Sequence, residues 1–197
     1  ADLPSGGQIV AGSGAISQSG ATLTVTQTSG KLAADWQSFS IGSGHTVNFV
    51  QPSTSSVALN RVLGADVSVI QGALNANGQV FLVNPNGVLF TSTAQVNVGA
   101  LVASTLQLNA DDFMAGNYRF SGSSAAGVKN EGGIQVGTGG TVALIAARIE
   151  NTGSITAPQG SVLMGAGSVV RLDLGGPVKI EVEMGALNTL IEQGGAI

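Results

Sequence analysis

The distribution of hydrophobic and polar residues along the chain predicts short β-strands. Apolar residues alternate with polar ones in runs that are rich in β-branched residues and that end at Gly, Asn or Ser, which is typical of strands separated by turns. The clearest runs are residues 21–26, 46–50, 79–83 and 141–146. The best helical candidate is a single turn at 109–114, with an Asn as its N-cap. We therefore predict a protein that is nearly all β.

A sequence motif recurs in the second half of the chain with a period of about 20–21 residues. The segment 128–134 recurs one period later as 149–155, and again two periods after that as 191–197. We interpret the missing copy near Val170 as degenerate, and 83–88 as an earlier and shorter variant. Such a period, with several short strands in each repeat, predicts a solenoid, most simply a right-handed parallel β-helix.

The period also predicts which residues stack on one another in adjacent coils, which lie about 4.8 Å apart. We expect Ile134 to stack on Ile155, Asn130 to lie at the same corner as Asn151, and Val142 to be buried. The narrow interior of such a coil accommodates few aromatic rings, and the low aromatic content of the chain, 4%, is consistent with this. A β-sandwich is the main alternative, but it gives no reason for a regular period.

The length of 197 residues fits a single domain, 1–197. Residues 1 to about 30 lack the repeat, and we expect them to form an N-terminal cap. Residues from about 31 to 197 would then form the coils. The sequence stops within a motif at Ile197, from which we expect a longer natural exoprotein, and it starts at Ala1, as a mature or trimmed chain would.

Composition and charge exclude several classes of function. The chain carries only 9% charged residues, 7 Lys+Arg and a net charge of -4, so we expect no binding to nucleic acid. It has no Cys and one His, which argues against a disulfide framework and most zinc and thiol chemistry. No apolar run approaches the roughly 18 residues of a membrane span.

The acidic residues show no convincing catalytic arrangement, although parallel β-helices include polysaccharide lyases and hydrolases. Asp111 and Asp112 are adjacent and are expected to begin a turn. Glu181 and Glu183 share a strand face that we expect to be solvated, and His45 lies in a Gly-rich turn without a second His. We expect no catalytic residues, no cofactor and no metal site, and so no enzyme.

Three short motifs and one downstream segment occur in order along the chain. The motifs are Trp36-Gln37-Ser38-Phe39, Asn60-Arg61-Val62 and Asn84-Pro85-Asn86-Gly87, and the downstream segment is 99–106. Together they resemble the N-terminal secretion domain of two-partner secretion exoproteins, which include filamentous haemagglutinin and the high-molecular-weight adhesins. The Asn-Arg-Val form is similar to that of the adhesin subgroup. Trp36 and Phe39 are candidate cap residues, with an exposed ligand platform as the alternative role.

The resemblance implies a right-handed parallel β-helix with an N-terminal cap and small extra-helical β-sheets. It also implies export through the periplasm and outer membrane to the medium or cell surface, with recognition by the periplasmic domains of a partner β-barrel transporter. The domain would nucleate folding of the β-helix during export. The Asn-Arg-Val and Asn-Pro-Asn-Gly residues are the candidate secretion or structural motifs.

The activity of the exported protein is less constrained by the sequence. An adhesin that binds host cells or polysaccharide is expected, with the chain itself a monomer; cytolysin, contact-dependent toxin and haem scavenger are open possibilities. Two alternatives to a secretion domain are a β-helical polysaccharide lyase or hydrolase and a free-standing carbohydrate-binding module. An enzyme would need clustered ionisable residues on one face, which the sequence does not show.

Overall fold

The computed structural model describes residues 2–175, 177–186 and 188–197, which contain 22 strands and one short helix. The strands are β1 (Gln8–Ala11), β2 (Gly14–Ser19), β3 (Thr22–Gln27), β4 (Lys31–Trp36), β5 (Thr46–Val50), β6 (Val57–Val62), β7 (Ser68–Ile70), β8 (Ala73–Ala76), β9 (Gln79–Val83), β10 (Val88–Phe90), β11 (Gln95–Val98), β12 (Ala100–Ser104), β13 (Tyr118–Ser121), β14 (Gly127–Asn130), β15 (Gly133–Val136), β16 (Thr141–Ala146), β17 (Arg148–Asn151), β18 (Ser154–Thr156), β19 (Ser161–Ala166), β20 (Val169–Asp173), β21 (Lys179–Met184) and β22 (Leu190–Gln193). The helix is α1 (Ala110–Met114), and Asn109 caps it as the sequence predicts.

Three sheets form the walls of a β-helix with about six turns. Sheet I has the order β1-β4-β6-β9-β12-β16-β19, sheet II the order β7-β10-β14-β17-β22, and sheet III the order β2-β3-β5-β8-β11-β15-β18. The chain passes through sheets III, I and II in turn, and strands of successive coils pair in parallel. The predicted right-handed parallel β-helix is confirmed.

Successive coils stack in the register that the repeat predicts. Ile134 pairs with Ile155 and Val142 with Val162. Both isoleucines are only 1% exposed, and Val142 is fully buried. Asn130 pairs with Asn151, and its side-chain amide donates to the Asn151 Oδ1 at 3.0 Å. The predicted corner ladder is therefore confirmed.

The two-period spacing between the segments 149–155 and 191–197 is caused by an insertion. The interpretation of a degenerate coil near Val170 was therefore wrong. Ile149 pairs directly with Ile191, in the adjacent strands β17 and β22. Val170 lies in β20, which leaves the solenoid and pairs antiparallel with β21 and β13. A spacing of two periods does not distinguish a degenerate coil from an insertion that is one period long.

The side sheet (β13, β20 and β21) and α1 cover the outer face of sheet I, and this contact forms a second core. The first core fills the coil interior. The second contains outward-facing residues of sheet I, such as Leu59 and Phe81, together with Phe113 of α1 and Phe120 of β13. Because sheet I is buried on both faces, its strands are continuously apolar, and every residue of β16 is buried.

The N-terminal cap consists of strands that pair against the direction of the coils. Strand β1 is antiparallel to β4, and β2 is antiparallel to β3. Parallel pairing already begins with β3, at Thr22, whereas the sequence placed the end of the cap near residue 30. The first coils lack the Asn-x-Gly corners, Asn130-Glu131-Gly132 and Asn151-Thr152-Gly153, that mark later coils in the sequence.

Among the described residues, strands β19 and β22 of the last coil each pair with a neighbouring coil on one side. The inward-facing side chains of Val162 and Met164 in β19 are half-buried. Ile191 of β22 lies in the same column as Ile149, yet it is 45% exposed whereas Ile149 is fully buried.

Candidate functional site

Asn60 places a polar side chain inside the coil, where apolar residues surround it. Strands β4 and β6 are parallel neighbours, so Ala34 pairs with Asn60 and Trp36 with Val62. The Trp36 Nε1–H donates to the Asn60 Oδ1 at 3.0 Å, and the Asn60 Nδ2 donates to the Phe81 carbonyl at 3.2 Å. Asn60 thus links three successive coils and leaves no buried polar atom of its own unpaired.

Arg61 points out of the same strand and binds Asp35, its cross-strand neighbour. The Arg61 Nε lies 2.8 Å from the Asp35 Oδ1, and its Nη2 lies 3.0 Å from the Oδ2. The two side chains are only 21% and 15% exposed. This bidentate pairing of the guanidinium and the carboxylate fixes the relative position of the two strands and neutralises both charges.

Trp36, Phe39 and Val62 close the interior of the first coils. Trp36 and Phe39 are each 1% exposed, and their rings meet edge to face with centroids 5.4 Å apart. Val62 is 2% exposed and belongs to the same core. Because both aromatic rings are buried, they do not form the exposed ligand platform that was considered as an alternative.

The segment from Asn84 to Gly87 forms a tight turn held by its own side chains. The Gly87 N–H donates to the Asn84 carbonyl at 3.1 Å. The Asn84 Oδ1 accepts from the backbone N–H of Asn86 at 2.9 Å, and the fully buried Asn84 Nδ2 donates to the Ser68 hydroxyl at 2.9 Å. Asn side chains commonly stabilise turns in this way.

Pro85 and Gly87 complete the turn. Pro85 fixes its own φ and presents its carbonyl to the Ser124 hydroxyl, which donates to it at 2.5 Å. Gly87 has a φ of 123°, a conformation that side chains disfavour. Val88 then stacks on Val128, so the turn occupies the corner that precedes this strand. Its interpretation as an early copy of the Asn130 motif was therefore wrong.

The loop 63–67 connects β6 to β7 and forms hydrogen bonds with both Trp36 and the turn 84–87. Its Leu63 N–H donates to the Trp36 carbonyl at 2.8 Å. The Asn86 Nδ2 donates to the Gly64 carbonyl at 2.7 Å, and the Asn84 Nδ2 donates to the Asp66 carbonyl at 2.9 Å. The Trp36 and Asn84 motifs therefore bond to this loop, and the Asn60-Arg61-Val62 motif directly precedes it in the chain.

Sequence reasoning did not identify the partners of these motifs. Asp35 and the loop 63–67 lie outside the quoted segments. One signal could have found Asp35: Asp35 and Arg61 are the only two oppositely charged residues between Lys31 and Asp66, and opposite charges on adjacent strands favour pairing.

The acidic residues considered for catalysis have structural surroundings. Asp111 and Asp112 lie in the exposed first turn of α1, where they complement the helix dipole. Glu183 binds Arg119 at 2.7 Å, and the lone His45 lies 3.8 Å from Asp2. Within the described residues, no group of three or more His, Asp or Glu side chains could hold a metal ion. No helix in that part of the chain is both long and apolar enough to cross a membrane.

Curated relatives match the chain over about half of its length. The chain is 47% identical over 107 residues to a heme/hemopexin-binding protein of Haemophilus influenzae strain Rd, and 46% identical over 99 residues to another Haemophilus influenzae protein of the same name. The matched segments cover 54% and 50% of this chain but only 12% and 11% of those proteins. The chain therefore corresponds to a small part of its relatives.

Two solved structures share its architecture. The HMW1 secretion domain from Haemophilus influenzae superposes with a TM-score of 0.91 at 28% identity, covering 96% of this chain and 52% of that one. The filamentous hemagglutinin secretion domain superposes with a TM-score of 0.66 at 16% identity, covering 97% and 73%, and this likeness shows the fold alone.

The family assignment rests on the whole of the described chain. The family model of the TPS secretion domain matches residues 2–197. Domains of this kind act in secretion and structure rather than in catalysis, so the chain is not an enzyme. The resemblance carried by the Trp36, Asn60 and Asn84 motifs is confirmed, and the chain belongs to the family of TPS secretion domains of two-partner exoproteins.

Proposed function

We propose that this domain directs a large exoprotein to its outer-membrane β-barrel transporter and that the periplasmic domains of the transporter recognise it. The match of the TPS family model to residues 2–197 carries this proposal. Exoproteins of this family are exported across the outer membrane. The mature protein would then be secreted or held at the cell surface.

A second role follows from the architecture, because the domain is suited to nucleate folding of the β-helix. Each coil contacts mainly its neighbours, so folding can begin at one end and propagate. The cap and the buried Trp36-Phe39 pair close the first end. The absence of Cys and the low charge suit passage of an extended chain. Folding outside the cell would then oppose return of the chain.

The exoprotein that contains this domain has two candidate activities. The likeness to the HMW1 secretion domain supports the expected adhesin, which would bind host cells or polysaccharide. The higher identity to heme/hemopexin-binding proteins favours the capture of haem or hemopexin as the second candidate. Immobilised full-length protein would be tested for binding of haem-loaded hemopexin and of host cells; retention of hemopexin alone would favour the second.

The Asn-Arg-Val and Asn-Pro-Asn-Gly motifs have a primarily structural role in this proposal. Asn60, Arg61 and Asn84 bind neighbouring coils, and the turn 84–87 is held by the Asn84 side chain together with a backbone hydrogen bond from Gly87 to Asn84. Their effect on secretion would then follow from the conformation that they impose.

A secretion assay tests the proposal. The chain, preceded by a signal peptide, would be expressed with and without its partner transporter, and we expect it in the medium only when the transporter is present. Release that is independent of the transporter would contradict the proposal. We expect Asn84→Ala to lower both the thermal midpoint and secretion, whereas Asn75→Ala, in the partly exposed amide pair with Asn48, serves as the control. Lost secretion with unchanged stability would make Asn84 itself a recognition residue.

A further inference from the structure

The chain contains two Asn-Gly pairs, Asn77-Gly78 and Asn86-Gly87. In an unfolded chain such a pair is prone to spontaneous deamidation. Glycine has no side chain to hinder the attack of its backbone nitrogen on the preceding Asn side chain, and its backbone rotates most freely. Every other Asn precedes a larger residue, as Asn97 precedes Val98. These two amides are therefore the most labile ones in the unfolded chain.

At Asn86 the reaction requires the Gly87 nitrogen to reach the Asn86 Cγ atom. A base removes the proton of the Gly87 N–H, the nitrogen forms a bond to Cγ, and the bond from Cγ to Nδ2 breaks as Nδ2 takes a proton from water and leaves as ammonia. Water then opens the cyclic imide and leaves either aspartate or isoaspartate, in which the main chain runs through the former side chain. The reaction consumes only water.

The folded turn 84–87 withholds both reacting groups of Asn86. The buried Gly87 N–H donates to the Asn84 carbonyl at 3.1 Å, so its proton is not free for a base. The Asn86 Nδ2 donates to the Gly64 carbonyl at 2.7 Å and to the Asn84 Oδ1 at 2.9 Å, which prevents rotation of the carboxamide. Deamidation in the folded chain therefore requires the turn to open.

The other Asn-Gly pair is held by one residue, Gln51. The Asn77 Nδ2 donates to the Gln51 carbonyl at 2.8 Å, and the Asn77 Oδ1 accepts from the Gln51 N–H at 2.8 Å. The Gly78 N–H donates to the Gln51 Oε1 at 2.9 Å. Asn77 itself is exposed, so its protection comes from these hydrogen bonds rather than from burial.

The product of deamidation does not fit the turn 84–87. A carboxylate in place of the Asn86 amide would face the Gly64 carbonyl and the Asn84 Oδ1, two acceptors that now receive hydrogen bonds from Nδ2. Leaving such acceptors unpaired next to a negative charge is costly. Isoaspartate would also lengthen the main chain of a turn in which Gly87 already has a φ of 123°. Modification of Asn86 therefore opposes closure of the turn.

We propose that Asn77 and Asn86 are spontaneous deamidation sites of the unfolded chain, that folding protects both, and that modification of Asn86 prevents the turn 84–87 from forming. The time for which the chain can remain unfolded before it folds outside the cell is then limited by this reaction. Only that consequence rests on the proposed function, because the chemistry belongs to the chain alone.

Incubation of the folded chain, and of the chain unfolded in urea, in the same mildly alkaline buffer tests the chemistry. Mass spectrometry of peptides would follow each Asn separately. In urea we expect aspartate and isoaspartate to accumulate at Asn77 and Asn86, whereas Asn97 stays largely intact. In the folded chain we expect both rates to fall by about tenfold or more, since an opening free energy of about 1.4 kcal/mol gives that factor.

Two results of this incubation would overturn the assignment. Equal rates in the folded and unfolded chain would mean that the fold does not protect the two amides. An Asn97 rate in urea equal to that of Asn86 would mean that the following glycine does not set the reactivity. Asn97 is exposed in the folded chain, so its persistence there would show that exposure alone is not sufficient.

The variant Asn84→Ala tests whether the turn itself is the protecting structure. It removes the Oδ1 that accepts from the backbone and side-chain amides of Asn86. Under folding conditions we expect the rate at Asn86 to rise by about fivefold or more, as loss of about 1 kcal/mol of local hydrogen bonding allows. The rate at Asn77 should stay unchanged. An equal rise at both sites would mean that global unfolding, rather than opening of the turn, controls the reaction.

The consequence for folding is tested with a charge-matched pair of variants. We expect Asn86→Asp to lower the thermal midpoint, whereas Asn97→Asp adds the same charge at an exposed position of β11 and should leave the midpoint close to that of the wild type. Chain that has been deamidated in urea should refold with a lower yield than fresh chain. A wild-type midpoint for Asn86→Asp, together with full refolding of deamidated chain, would contradict the effect on the turn.

The limit on export is tested in cells with and without the partner transporter. Chain retained in cells that lack the transporter should carry more isoaspartate at Asn86 than chain recovered from the medium, and equal levels would contradict the limit. Failure of the wild-type chain to be exported would instead contradict the proposed function and would leave the chemistry measured on the purified chain unaffected.

Discussion

Buried amide side chains specify how the coils align. Asn60, Asn84, Asn130 and Asn151 are all fully buried, and each bonds to a neighbouring strand or loop. In the described residues no buried side-chain polar atom lacks a partner. An apolar stack tolerates small shifts in register, whereas a buried amide that slips by one residue loses its hydrogen bonds. These residues therefore favour one register over the alternatives.

We predict that Asn60→Ala destabilises the domain by about 1–3 kcal/mol, because it leaves the buried Trp36 Nε1–H without an acceptor. Denaturant unfolding would measure the loss, and emission from the single tryptophan would report the altered site directly. The control is Asn75→Ala on the partly exposed face of sheet III, which we expect to cost less than about 0.5 kcal/mol. If Asn60→Ala matched the wild type in both stability and emission, the bond would not form in solution.

At the scale of elements, the coils were predictable where they repeat and unpredictable where they are interrupted. Ile134 and Asn130 could be placed because similar residues recur one period later in the sequence. The side sheet could not be placed, because β13 pairs with β20 from a distant part of the chain and neither strand repeats. The contact of Trp36 with Asn60 was missed for the same reason: it joins coils that share no motif.

The side sheet gives the domain a specific sensitivity to alkaline pH. Burial raises the pKa of Tyr118 above its ordinary value of 10.0, and its ring packs on Phe81 with centroids 5.0 Å apart. The unfolded chain loses this proton at a lower pH than the folded chain does. Stability is therefore unaffected by Tyr118 below pH 10.0 and falls as the pH rises through the folded pKa.

We predict that Tyr118→Phe removes this part of the alkaline destabilisation while leaving stability near neutral pH almost unchanged. Denaturant midpoints of both proteins, measured from about pH 9 to about pH 11, would be compared, so that the contributions of lysines cancel. Because Tyr118 is the only tyrosine, phenolate absorbance gives its pKa independently. Identical pH profiles for the two proteins, or a phenolate transition at or below pH 10.0, would contradict the burial effect.

At the scale of the whole molecule, stability depends on how many neighbouring coils each residue contacts. Interior residues of the central coils pack between two coils, whereas those of the last described coil pack against one. In such a quasi-one-dimensional architecture, stability is approximately a sum of coil and interface contributions. The two cores reinforce this pattern, since the side sheet covers sheet I over several coils at once.

The column that contains Ile149 and Ile191 tests this dependence with one substitution made in two adjacent coils. The residues are identical in type and are direct partners in parallel strands, but Ile149 is fully buried and Ile191 is 45% exposed. Ile149→Ala removes contacts on both sides and leaves a cavity, so we expect a loss of about 2–5 kcal/mol. Ile191→Ala removes contacts on one side, and solvent can fill the space, so we expect less than about 1 kcal/mol. Urea unfolding would measure both losses, with the m-value, the slope of the unfolding free energy against urea concentration, unchanged between the variants. Equal losses would mean that the last coil is as tightly packed as its neighbour in solution, and the coil-by-coil account of stability would then be wrong.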